Sequence, residues 1–354
     1  MVFKIFWPKV SVVMSTYNRA EMLPNAIESI LNQTFTNFEF IIIDDASTDS
    51  TFEILQYYKK KDRRIRIYRN KQNCGCTSSY IKAQKLLSKS SKYMAHIDDD
   101  DISFPNRLEI QYKYMQGHKN VAACGSFIEV FGTKKAKSWV TASDYRMLNL
   151  LLNFYNPFCH SSMFFRKSFL QKNKISYTKE ALCAQDYKLY SDIVMANGKI
   201  INIPIPLVKY RMHSHQITHI KHTQNIQIIV AKSVKGKLLS RFFSNHELAT
   251  VLEKLHDFPF NNYDVDSICR IVECIKHSSV VKVNKEQIKK LHAILQKVKN
   301  DGREFLDDEL WDNRYSKSND KLCKTSNILP KIKMGFWQFI SYTTFAVGSS
   351  VILA

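Results

Sequence analysis

From residue 10 to about residue 220 the chain alternates apolar runs with stretches whose apolar residues recur at helical spacing. VSVVM (residues 10–14) is mostly apolar, as expected of a strand buried on both faces. Met22, Leu23, Ala26, Ile27, Ile30 and Leu31 then fall on one helical face. FEFIII (residues 38–43) reads as the next strand. Ser47, Thr48 and Asp49 are cap candidates for a helix through Phe52 to Tyr58. Residues 65–68 predict a third strand, followed by a loop with Asn73 and Gly75 and a helix near 78–88. YMAHI (residues 93–97) predicts a fourth strand. Pro105 is placed to open another helix, with Leu108, Tyr112 and Met115 on one side. This β-α-β-α order predicts an α/β fold with a mostly parallel central sheet flanked by helices.

Such sheets bind ligands beyond the carboxyl ends of their strands. Three polar clusters fall there: residues 15–19 (STYNR), residues 44–47 (DDAS), and the four aspartates at 98–101. A parallel sheet brings all three to one edge. Two carboxylates about 4 Å apart repel by roughly 1 kcal/mol in water and roughly 4 at an effective dielectric near 20. The run is therefore either a solvated turn capping the next helix or a place where a cation sits.

Beyond residue 220 the character changes. SNHE (residues 244–247) and NKEQ (residues 284–287) resemble capping boxes. Ile288, Leu291, Ile294 and Leu295 recur at helical spacing, so a C-terminal helical region is expected over 221–333. The last 21 residues, from Met334, carry no charged side chain. That length just spans a bilayer, but Gln338, Ser341, Thr344 and Gly348 form a polar stripe. The stripe suits a helix lying at a membrane interface, or one packed on protein or on a second copy, better than a spanning one.

The formal net charge of +20 favours polyanionic partners: nucleic acid, anionic lipid or phosphorylated small molecules. An acidic crevice at the sheet edge argues against nucleic acid there. Eight cysteines without a CxxC pair read as reduced thiols of a cytosolic protein. The opening MVFKIFWPKVSVVMSTYNR reads as a first strand, not a signal peptide.

Taken together, VSVVMSTYNR, AIESILNQTF, IIIDDASTDST, DDDDISFPNRLE, NPFCHSSMFFRKSFL, AQDYKLYSDI and PLVKYRMHSHQIT resemble, in order and spacing, the motifs of glycosyltransferase family 2. The resemblance covers residues 10 to 220 and implies a GT-A fold and an inverting transferase that uses a nucleoside diphosphate sugar. It implies a catalytic domain over 1–220, with a nucleotide-sugar half to about 117 and an acceptor half over 118–220. The helical region over 221–333 and the apolar tail over 334–354 lie outside it.

By the same resemblance, Asp100 is the direct ligand of Mn²⁺ or Mg²⁺, while Asp98 and Asp99 face the ribose, the diphosphate or metal-bound water. Alternation along the strand end would put Asp98 and Asp100 on one side, making Asp98 a second candidate ligand. His213, in YRMH, closes over the diphosphate and completes the metal set, and Arg211 pairs with phosphate or an acidic residue. Hard oxygen ligands suit such ions, and a divalent cation steadies a departing diphosphate. Asp45 matches the base- and ribose-recognising aspartate; a carboxylate accepts from the N–H of uracil, which makes UDP the default nucleotide. Ser15, Tyr17 and Arg19 lie in the loop that holds the nucleotide, with Tyr17 able to stack on the base. Alternatively, Asp44 and Asp45 cap the following helix.

Asp186, in AQDY, matches the catalytic base that deprotonates the incoming hydroxyl, with Asp192 as runner-up. His160 and Gln185 fall on the acceptor side; His215 and His219 are weaker candidates. Two departures stand out: Gln185 where the family has Glu, and Tyr80-Ile81 where relatives often carry a basic residue and Asn. Arg63, Arg64 and Arg66 are candidates to restore the missing positive charge. The implied partners are a nucleotide-sugar donor, a surface-glycan or glycolipid acceptor such as lipopolysaccharide or capsule, and an anionic membrane face in the cytoplasm. Contact between copies through the C-terminal helices is a further expectation. The other reading the acidic crevice allows is a Mg²⁺-dependent nucleotidyltransferase acting on sugar phosphates.

Overall fold

The apolar runs become β1 (Val10–Thr16), β2 (Phe38–Asp44) and β4 (Tyr93–His96), each buried almost throughout. The computed structural model describes residues 7–132, 137–139, 142–213, 216 and 221–243. Between the runs lie α1 (Leu23–Leu31), α2 (Thr51–Lys61), β3 (Ile65–Arg69) and α3 (Cys76–Lys85). Next come β5 (Ile102–Ser103), α4 (Arg107–Gly117), β6 (Val121–Phe131), β7 (Lys137–Trp139), α5 (Tyr145–Leu152), β8 (Phe164–Arg166) and α6 (Lys167–Lys172). The described chain closes with α7 (Gln185–Met195), β9 (Lys199–Arg211) and α8 (Lys221–Leu239).

Among the described residues these strands form one sheet in the order β3-β2-β1-β4-β8-β6-β9-β5, with β7 on β6. It is parallel from β3 to β4. Beyond β4 it is mixed: β8 runs antiparallel to both β4 and β6, and β9 runs parallel to β6 and antiparallel to β5. The sequence reads the parallel half because strand and helix alternate there. β8, with three residues, is too short to show a period.

Helix faces follow the predicted spacing. α1 buries Leu23, Ala26, Ile27 and Ile30 against the sheet. Pro105 lies just before α4, whose N-cap is Asn106; Leu108 and Met115 are buried and Tyr112 packs beside them. Asp49, rather than Asp44 or Asp45, caps toward α2, its Oδ1 accepting from the Thr51 N–H at 3.0 Å.

Register sets the site. Thr16 pairs with Asp44 and Val13 with His96, so the ends of β1, β2 and β4 open on the same edge. β5 pairs with β9, Ile102 facing Lys209, which draws the end of β9 back to the aspartate turn. Asp192 forms ion pairs with Lys188 (2.7 Å) and with Lys237 of α8 (2.6 Å), tying α7 to α8. Among the described residues no helix is long and apolar enough to cross a membrane, and Cys74, Cys76, Cys124, Cys159 and Cys183 are free thiols. Of the region over 221–333, only α8 and the few residues after it are described. The expectations for the capping boxes, the apolar tail, His215 and His219 fall outside the described residues.

Candidate active site

The loops after β1 and β2 hold each other. The Asn18 N–H donates to Ser47 Oγ (3.0 Å), the Thr48 N–H to Asn18 Oδ1 (2.8 Å), and the Arg19 N–H to Thr51 Oγ1 (2.8 Å). Asn18 and Ala46 both have positive φ, 51° and 64°. For Ala that geometry costs about 1–2 kcal/mol and persists only where its surroundings impose it. Asp44 does the imposing: fully buried, it accepts from the Ser47 N–H (3.1 Å) and pairs with Arg69 Nε (3.0 Å). Asp45, also buried, accepts from Asn70 Nδ2 (2.6 Å) and from the N–H groups of Cys74 and Gly75. Neither aspartate caps α2, so the capping reading is set aside. Tyr17 stands at the rim, 41% exposed.

β4 ends at His96, so the four aspartates form a turn and not a strand end. Alternation therefore does not order them, and Asp98 and Asp100 take different hydrogen-bond partners. Asp98 accepts from Tyr80 OH and from Ser161 Oγ, each at 2.8 Å. Asp99 lies 3.6 Å from Arg19 Nε. Asp100 Oδ2 meets His213 Nε2 at 3.0 Å, and its carbonyl accepts from Arg211 Nε (2.8 Å). Asp101, fully buried, accepts from the Arg211 N–H (2.8 Å).

Burial and the Asp100 charge push the Asp99 carboxyl up to about 7. Burial and the Asp98 charge raise Asp100, while His213 pulls it back. Burial, then the Asp100 and Asp98 charges, push Asp101 well above the usual carboxylate range. A cation relieves that crowding. Among the described residues no three carboxylate, imidazole or thiolate groups converge into a cage. Asp100 with His213 nonetheless offers an oxygen and an imidazole nitrogen at one point, and Mg²⁺ commonly takes one or two protein carboxylates and completes its shell with phosphate oxygens.

Beneath the turn lies Arg107, fully buried. It donates to the His96 carbonyl, to Ser103 Oγ (2.9 Å) and to Gln111 Oε1 (3.1 Å). Burial lowers its pKa to about 10, and the Asp101 and Asp98 charges act against that fall. A positive charge under four carboxylates offsets part of their repulsion.

Across the crevice, Asp186 stands in the first turn of α7, half-buried, its Oδ2 accepting from Asn156 Nδ2 at 2.7 Å. His160 Nδ1 lies 3.0 Å from Tyr190 OH, and its ring is 4.3 Å from that of His96. Tyr80, Tyr177 and Tyr190 surround the two imidazoles. Burial and the charges of both Asp186 and Asp98 push the Tyr177 and Tyr190 hydroxyls well above their ordinary value. The same two tyrosines thus feel both carboxylates. Sequence reasoning missed Asn70, Arg107, Asn156 and Ser161; the last two sat inside the quoted NPFCHSS stretch, and no local pattern names their partners.

The sequence pattern of glycosyl transferase family 2 matches residues 11–175. Over 250 residues the chain is 32% identical to an uncharacterised glycosyltransferase of Haemophilus influenzae, a match spanning 67% of this chain and 75% of that protein. The chain belongs to glycosyltransferase family 2. Within the family it is also 28% identical, over 66% of its length and 92% of the relative's, to the O-antigen biosynthesis glycosyltransferase WbnJ of Escherichia coli. The family 2 chain superposes on S. aureus TarS 1-349, solved in complex with UDP-GlcNAc, with a TM-score of 0.52 at 16% identity, covering 82% of one and 86% of the other. The likeness establishes a GT-A fold.

Tyr80 and Gln185, two of the positions singled out in the sequence, both make contacts in this chain. Tyr80, 4% exposed, donates to Asp98. Gln185 accepts from Thr77 Oγ1 at 3.4 Å, joining the start of α7 to α3. Arg64 and Arg66 do not make up the missing charge: Arg64 is bound to Asp62 (2.7 Å) and Arg66 to Glu39.

Proposed function

We propose that this chain transfers a sugar from a nucleoside diphosphate sugar, UDP by the Asp45 contact, to a hydroxyl of a cell-surface glycan or glycolipid, with inversion. The observation that supports the reading is that one short segment binds both carboxylates, Asn156 donating to Asp186 at 2.7 Å and Ser161 to Asp98 at 2.8 Å. WbnJ, named for O-antigen biosynthesis, and TarS, bound to UDP-GlcNAc, support the acceptor and donor classes. Family membership favours sugar transfer over nucleotidyl transfer.

Asp45 receives the base and Tyr17 stacks on it, with Ser15 in the same loop. Asp98 and Asp99 face the ribose and diphosphate side, and Arg19 and Arg211 bring positive charge there. Asp100 and His213, with Asp98 beside them, would hold Mn²⁺ or Mg²⁺, whose positive charge would offset that of the departing diphosphate. Asp186 takes the proton of the acceptor hydroxyl as its oxygen bonds to the anomeric carbon. The carbon–phosphate oxygen bond breaks on the opposite face, and the nucleoside diphosphate leaves with the electron pair. Residues to about 117 form the donor half and residues 118–220 the acceptor half. We place the enzyme on the cytoplasmic membrane face, where its net charge of +20 meets anionic lipid.

The test is a panel of UDP-glucose, UDP-galactose, their N-acetyl forms and GDP-mannose, with manganese chloride and octyl glycosides, read by nucleotide release. UDP release that EDTA and Asp100→Ala both abolish is expected. Pyrophosphate release from a nucleoside triphosphate and a sugar phosphate, with no turnover of any sugar nucleotide, would show the reading to be wrong.

A further inference from the structure

One short segment reaches both sides of the crevice. Asn156 holds Asp186, His160 meets Tyr190 one helical turn further along α7, and Ser161 holds Asp98. The Asn156 amide has a defined orientation. Its Oδ1 accepts from the Phe158 N–H at 3.1 Å, closing a turn on its own backbone, so its NH₂ must face Asp186. An amide pinned at its oxygen is a rigid donor; a carboxylate gripped by it loses rotamer freedom.

Resting on the assignment of Asp186 as the base, we propose that Asn156 is its positioning residue: the amide grips Oδ2 and turns Oδ1 toward the acceptor hydroxyl. Ser161, five residues on, fixes Asp98 by two bonds, donating to Oδ2 and accepting from the Asp98 N–H at 3.1 Å. The segment over 156–161 thereby sets the distance between base and donor site. A base displaced by about 1 Å costs on the order of 100-fold in rate, so the spacing has kinetic weight. Gln185 complements it by anchoring the same end of α7 to α3.

Asn156→Asp is the sharpest probe. It keeps an oxygen for the Phe158 N–H, preserving the turn, but sets an acceptor where Asp186 needs a donor. Asn156→Ala removes the side chain altogether. With the UDP-sugar and octyl glycoside that turn over in the panel, both variants should lose about 10- to 100-fold in kcat. Their donor KM should stay unchanged. In an Asp186→Asn background the same substitutions should cost nothing further, because the partner is already gone. A crystal structure of Asn156→Ala should show Asp186 in a changed rotamer. Wild-type turnover of Asn156→Asp, equal losses in both backgrounds, or an unmoved Asp186 rotamer would each overturn the proposal. Normal turnover of Asp186→Asn alone would instead remove the base assignment on which it rests.

Discussion

Asp186 and Asp98 are each held by neutral donors, an amide in one case and two hydroxyls in the other. Neutral partners orient a carboxylate without cancelling its charge, which suits a base and a cation-facing group alike. Asp186→Asn should therefore leave UDP binding intact, measured calorimetrically, while turnover falls by about three orders of magnitude. Tyr80→Phe isolates the other side. The ring still stacks on Tyr177, so the fold should hold, but Asp98 loses a bond from its Oδ1. Hydrogen bonds to charged groups are worth about 1.5–3 kcal/mol, so the donor KM should rise by at least about 10-fold with little change in kcat. A fall in kcat alone would assign Tyr80 to the chemical step instead.

At the scale of elements, the aspartate turn depends on α4 beneath it. Arg107 reaches up from the first turn of that helix to the last carbonyl of β4. Arg107→Met should cost about 3–5 kcal/mol in urea unfolding, since it strips a buried charge from under the carboxylates and orphans its acceptors. A loss below about 1 kcal/mol would mean the turn holds itself up. The elements from β1 to β4 and helix α4 were legible because their apolar runs or helical spacing stand out from the polar stretches between them. β5 and β8, with two and three residues, were not. The identities of the crevice residues were legible, because they sit in short motifs. Their partners were not: Asn156 is 30 residues from Asp186, Ser161 is 63 from Asp98, and His213 is 113 from Asp100. Alternation has no bearing on residues 98–100, because β4 has already ended at His96.

On the scale of the whole molecule, a net charge of +20 coexists with one acidic crevice. Vesicles containing phosphatidylserine should retain the protein at low ionic strength and release it as sodium chloride rises past about 0.2 M, followed by co-sedimentation. Retention by neutral phosphatidylcholine alone would point to the apolar C-terminal stretch rather than to charge. The crowded turn has one more consequence. Four carboxyl groups crowded into a small volume are costly to ionise together, and whatever neutralises them adds its binding energy to the fold. A ligand at about 100 times its dissociation constant adds roughly 2.7 kcal/mol, or roughly 5–10 °C of melting point for a domain of this size. A plain thermofluor plate of nucleotides, each with and without manganese, would thus identify the preferred base before any acceptor is known.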